Sequence, residues 1–197
     1  MMNKNRLKIA ILWLIFLVSL LSNSQVEAAE KSKSKLILVQ HIAGVFIGPQ
    51  ASKDDDVKKK YGDGLYVLDE GHGGGRYFTD SKQSITLHTT IGVDNVIEEV
   101  ELMKGVHLPP AIKDPKKSIT QTLKTPPKID KGLHLGMTES ALLKQLGTPT
   151  RDKKQAGVRI LEYEAMEEDD PRIALVYTAT YTFSNGRLIK ILLYDGE

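Results

Sequence analysis

The chain has 197 residues, with 27 Lys+Arg against 25 Asp+Glu, 41% hydrophobic residues and no cysteine. A charge this close to neutral excludes a nucleic-acid binder built on a broad basic field. The lack of cysteine excludes disulfides, thiolate metal ligands and a lipid-acceptor cysteine, so the fold must be held by its core.

The first residues read as an address. Lys4, Arg6 and Lys8 form a basic region, and residues 9–21 are an apolar run broken only by Ser19. Val26-Glu27-Ala28 then places small residues before a cut between Ala28 and Ala29. The competing reading, an uncleaved anchor, needs about 20 apolar residues, and the polar Ser22-Asn23-Ser24-Gln25 follows the run at once. The expectation is therefore a cleaved signal peptide, residues 1–28, a periplasmic or secreted protein, and no stable membrane anchor after cleavage. Cleavage removes three bases and Glu27, leaving equal numbers of acidic and basic side chains.

Two stretches read as the same unit written twice: Val57-Lys58-Lys59-Lys60-Tyr61-Gly62 and Leu142-Leu143-Lys144-Gln145-Leu146-Gly147 share an apolar-x-x-x-apolar-Gly pattern. Each follows an apolar-Gly pair, Ile47-Gly48 or Leu135-Gly136. Internal repetition argues architecture before function. In the first unit Ser52 is a candidate N-cap with Asp55 in the capping-box position. Asp54, Asp55 and Asp56 then complement the positive end of the helix dipole, and Lys58, Lys59 and Lys60 its negative end. The triple Asp lacks the alternating ligands and glycine of a calcium loop, so it reads as a solvated helix start. Val57 and Tyr61 are the packing face.

Strands are predicted over 65–69, 76–80, 84–91 and 96–102, with Gly92-Val93-Asp94-Asn95 as the turn before the last. His88 falls on the polar face with Thr86 and Thr90 and reads as a solvated residue. Prolines 109, 110, 115, 126 and 127, interleaved with lysines, mark residues 105–132 as a connector or as an ordered loop wrapping the body. Thr138 then caps a helix carrying Leu142, Leu143 and Leu146, stopped by Gly147 with Pro149 beyond. Residues 158–166 form a strand and 167–171 an acidic turn. From 173 to 183 apolar residues alternate strictly, and Asn185-Gly186 is the favoured type I′ hairpin turn into the strand over 187–194.

Leu135-Gly136-Met137-Thr138, Leu142, Leu143 and Leu146-Gly147-Thr148-Pro149 resemble the opening of the SmpA/OmlA (BamE-like) domain, over roughly 133–197. The resemblance implies a small α+β module with helices on one face of an antiparallel sheet, and a place in envelope assembly. The β-lactamase inhibitor protein is similar to two such units in tandem. The chain departs from the BamE-like pattern in lacking the lipid-acceptor cysteine, and no inhibitory loop residue matches. The expected fold class is α+β: two tandem units, residues 29–104 and 133–197, each a helix packed on one face of an antiparallel sheet, joined by the connector 105–132.

No catalytic residue, cofactor motif or metal-ligand spacing is assigned. His72-Gly73-Gly74-Gly75 is similar to the oxyanion loop of some esterases, but no Gly-x-Ser-x-Gly elbow accompanies it. Asp69, Glu70 and His72 adjoin in sequence, and neighbours along a strand end point to opposite faces. The expected function is a non-catalytic secreted or periplasmic binding module, engaging another envelope or secreted protein as an assembly factor or inhibitor-like protein. A secreted hydrolase built on the His72 loop, or a small-ligand or metal carrier, is the alternative. With a two-residue turn, Phe183 faces Leu188, Thr182 faces Ile189 and Thr180 faces Ile191. One sheet face then carries Thr178, Thr180, Thr182, Ile189, Ile191 and Leu193, and is the candidate protein-binding platform unless the first unit or the connector covers it.

Overall fold

The computed structural model describes residues 39, 41–48, 50–69, 73–109, 112, 120–123, 127–170 and 173–196. The leader with its cut after Ala28, and the loop residues Glu70 and His72, lie outside them. No helix among the described residues is long and apolar enough to cross a membrane.

Two short strands, β1 (His41–Ile42) and β2 (Val45–Phe46), form a hairpin and lead to helix α1 (Asp54–Tyr61). A meander follows: β3 (Leu65–Asp69), β4 (Gly73–Asp80), β5 (Ile85–Ile91) and β6 (Ile97–Lys104). The short β7 (Thr120–Leu123) precedes helix α2 (Glu139–Leu146), and β8 (Arg151–Gln155), β9 (Val158–Asp170), β10 (Ile173–Ser184) and β11 (Arg187–Gly196) complete the chain. Local chemistry accounts for the helices. Thr138 Oγ1 accepts the Ala141 N–H at 3.3 Å to start α2, and Gly147 at φ 80° ends it. In α1 the cap falls one residue later than Ser52: the Asp56 carboxylate accepts the Lys53 N–H at 3.2 Å, while Ser52 Oγ accepts the Phe46 N–H at 3.1 Å.

The expected pair of helix-on-sheet units is overturned. One sheet runs β3-β4-β5-β6-β11-β10-β9-β8, antiparallel throughout, with β7 added parallel to β4. β6 from the first half of the chain pairs with β11 from the second, in the register Leu102–Ile191 and Val100–Leu193. The shared apolar-x-x-x-apolar-Gly pattern is a helix-capping signature, and it fixes two helices without fixing which strands they serve. The 167–171 turn is also corrected, because β9 continues to Asp170 and pairs with β10 there.

The core is centred on one register row. Phe78, Leu87, Leu102, Ile191, Tyr181 and Leu161 face one another across six strands, each 0% exposed. Over this face lie the β1–β2 hairpin, α1 and α2. Tyr61 of α1 packs on Phe78 with ring centroids 5.5 Å apart, Leu142 of α2 is fully buried, and Tyr163 donates its hydroxyl to the Gly147 carbonyl at 2.9 Å. Gly48 passes so close to Tyr177 that a Cβ there would sit 2.7 Å from the ring.

Candidate functional site

The side of the sheet away from the helices carries the polar alternates of the same strands. Its register row is Tyr77–His88–Glu101–Leu192–Thr180–Glu162–Arg151, flanked by the row Gly75–Thr90–Glu99–Tyr194–Thr178–Glu164. Aromatic rings stand at one end, threonines and leucine in the middle, and ion pairs at the other end.

Half of the expected platform is on this face. Thr178, Thr180 and Thr182 are here, each partly exposed. Ile191 and Leu193 are not: both are fully buried in the core. The cause is a β-bulge. Phe183 pairs with Leu188 as expected, but Thr182 pairs with Lys190, leaving Ile189 as the extra residue in β11. A one-residue slip exchanges the two faces of everything beyond it. The open face therefore gains Lys190, Leu192 and Tyr194 in place of Ile191 and Leu193.

At the aromatic end, the His88 imidazole stacks on Tyr77 with centroids 4.2 Å apart and planes 17° from parallel. Its Nδ1 lies 3.9 Å from both Glu99 Oε1 and Glu101 Oε2, and Lys190 pairs with Glu101. Thr90 donates its hydroxyl to Glu99 at 3.4 Å. His88 is thus on the face expected of it but is held by a ring and two carboxylates rather than solvated. Gly75 makes room for it, since a Cβ there would come within 2.5 Å of His88 Nε2. These residues border a cavity of about 250 Å³, lined by Val67, Leu68, Gly75, Tyr77, His88, Thr90 and Pro109. The segment carrying Pro109 is fixed to the sheet where the His107 N–H is donated to Thr86 Oγ1 at 3.1 Å. The sequence signal for this cavity was a glycine run inside a strand, which marks close approach of another group.

At the charged end, Arg151 reaches Glu162 at 3.5 Å and Glu164 at 3.1 Å, and Lys153 reaches Glu162 at 2.9 Å. Nearby, Arg159 joins Asp152 of β8 to Glu139 of α2, with contacts of 2.7 and 2.6 Å. Its hydrogen bond holds the Asp152 carboxyl below the usual carboxylate range.

The remaining histidines do not converge. His41 packs on Phe46, His107 bonds the Lys104 carbonyl at 2.8 Å, and His134 the Leu135 carbonyl at 3.1 Å. Among the described residues no group of three or more His, Asp or Glu is placed to hold a metal ion.

No protein-family model and no curated protein matches the chain. Among solved structures it is similar to the crystal structure of a DUF4309 family protein, YjgB, from Bacillus subtilis subsp. subtilis str. 168. The identity is 16% and the TM-score 0.44, with 78% of this chain and 83% of that one covered.

Proposed function

We propose that the chain is an exported, non-catalytic binding module that holds another envelope or secreted protein against the open face of its sheet. The observation that supports this reading is the row from Tyr77 to Arg151. Its centre, Leu192 with Thr180 and the neighbouring Thr178 and Tyr194, is mixed apolar and hydroxyl, and charged residues stand to either side. Protein interfaces share that arrangement, with a weakly charged, aromatic-containing centre inside a polar rim. The rim charges are already oriented by their partners, which favours orientation and specificity over raw affinity.

The test is Thr180→Arg, which sets a long cation in the middle of the row without touching the core. The variant keeps its fold by circular dichroism and loses the protein that wild type retains in a cross-linked envelope extract. Lys144→Ala, at an exposed position of α2, retains it. If Thr180→Arg holds the partner as wild type does, the open face is not the binding surface. Export is read separately, by N-terminal sequencing for Ala29.

The cavity beside His88 favours a second reading, a small-ligand carrier. Native mass spectrometry of the protein purified from its own source decides between them. A bound small molecule that disappears in His88→Ala supports the carrier.

A further inference from the structure

The two ends of the sheet are finished differently. β8, at one edge, reads Arg-Asp-Lys-Lys-Gln with every residue exposed. Charge of this kind, lysine above all, is how sheets discourage pairing with another chain. β3, at the other edge, reads Leu-Tyr-Val-Leu-Asp, and among the described strands it pairs with β4 alone. Leu68 is 75% exposed and Tyr66 46%. An edge of this composition presents backbone donors and acceptors together with apolar side chains, the two things a further strand needs.

The spacing selects the partner. Tyr66 and Leu68 stand symmetrically about Val67. If a second β3 pairs antiparallel with its twofold axis at Val67, Tyr66 meets the partner's Leu68 and Leu68 the partner's Tyr66, on one face. The two exposed hydrophobics then cover each other. The Asp69 positions fall opposite Leu65, so no like charges face one another. Tyr66 is held in place against β4: the Arg76 guanidinium lies over its ring at 4.9 Å, and Gly74 leaves room beneath its hydroxyl. We infer that β3 is a self-pairing edge, through which two copies of this chain join their sheets antiparallel about Val67. The pairing uses the outer backbone edge of β3, and because Val67 also lines the cavity beside His88, the dimer is read by mass and cross-linking, independently of what the open face binds. Five paired residues bury less than the ~800 Å² per partner of a stable complex, so the dimer is weak and concentration-dependent.

The purified chain is followed by sedimentation across a wide concentration range, and its mass rises from one chain to two. Val67→Lys sets two ammonium groups face to face on the axis and weakens the dimer by about tenfold or more. Because the chain has no cysteine, cross-linking reads the register directly. Val67→Cys brings two Cα atoms to about 4.5–5.5 Å, within disulfide span, and oxidises rapidly to a covalent dimer. Leu65→Cys leaves its copies about 14 Å apart and Lys153→Cys lies on the opposite edge, so both stay monomeric on that timescale. A single-chain mass at every concentration overturns the inference. So does a Val67→Lys dimer as tight as wild type, or cross-linking no faster at 67 than at 153.

Discussion

The Arg76 guanidinium grips the Asp54 carboxylate at two points, Nε to Oδ1 at 2.5 Å and Nη2 to Oδ2 at 2.9 Å, and donates to the Asp63 carbonyl at 2.6 Å. The pair ties the first residue of α1 to the middle of β4, and both side chains are nearly buried, at 12% and 9% exposure. Asp54→Ala strands the guanidinium without its partner, and removing one member of such a pair costs about 3–5 kcal/mol. Denaturant titration of the variant checks it. Arg76→Met is the milder change, because the Asp54 carboxylate keeps Lys58 at 3.6 Å and the N-terminus of α1.

Tyr61 closes the same helix, packing on Phe78 and donating its hydroxyl to the Ala43 carbonyl. Tyr61→Ala removes a buried ring and a buried hydrogen bond at once, at a cost of about 3–5 kcal/mol. Lys58→Ala, on the same helix, breaks the solvent-facing contact with Asp55 and the longer one, 3.6 Å, with Asp54, both weak pairs on a helix surface, and its denaturation midpoint stays close to the wild-type value. Equal losses from the two variants contradict this account of α1.

Gly75→Ala tests the aromatic end of the open face. The added methyl meets His88 Nε2 at 2.5 Å and the Thr89 carbonyl oxygen at 3.1 Å. The backbone oxygen cannot yield, so the imidazole leaves Tyr77 and the strand pair loosens, at about 1–3 kcal/mol. The His88 ring proton resonances lose the ring-current shift that stacking on Tyr77 gives them, while the resonances of Leu142 of α2 do not move.

Alkali unfolds the chain through its tyrosines. Burial pushes Tyr61 and Tyr163 up to about 12 from an ordinary 10.0, and Tyr181 further still. A raised folded-state value means the folded chain keeps protons that the unfolded chain releases. Stability is therefore fully present below pH 10 and falls as pH climbs toward 12. Tyrosinate absorbance and loss of the β-sheet dichroism rise together in that interval. Tyrosinate formation complete by pH 10 with the sheet intact contradicts this.

Much of this fold is written locally. A short apolar run marks 65–69 and period-2 alternation marks 84–91 and 173–183 as strands, Asn185-Gly186 makes the hairpin with φ 49° and 70°, and Thr138 and Gly147 bracket α2. The bulge at Ile189 is not written locally, because nothing in Leu188-Ile189-Lys190 distinguishes the extra residue from its neighbours. It is set by what β6 and β10 require on either side. That one residue decides whether Ile191 and Leu193 are core or surface, so the platform residues split three from two around it. The Tyr77–His88 stack and the Asp54–Arg76 pair were hidden for the same reason: each joins separate elements, and spacing along the chain does not reveal which elements become neighbours.

β11 sits in the interior of the sheet although it comes last among the described strands. Until Ile191 reaches Leu102, β6 and β10 each end in an open edge. Closing that seam requires bringing together residues far apart in the chain before any of their contacts form, an entropic cost that slows folding to the millisecond-to-second range of high-contact-order β proteins. The last hairpin therefore acts as the closing piece of the folding reaction. A chain interrupted before residue 187 carries two unsatisfied edges rather than one finished half, and aggregation rather than a stable fragment is its expected fate.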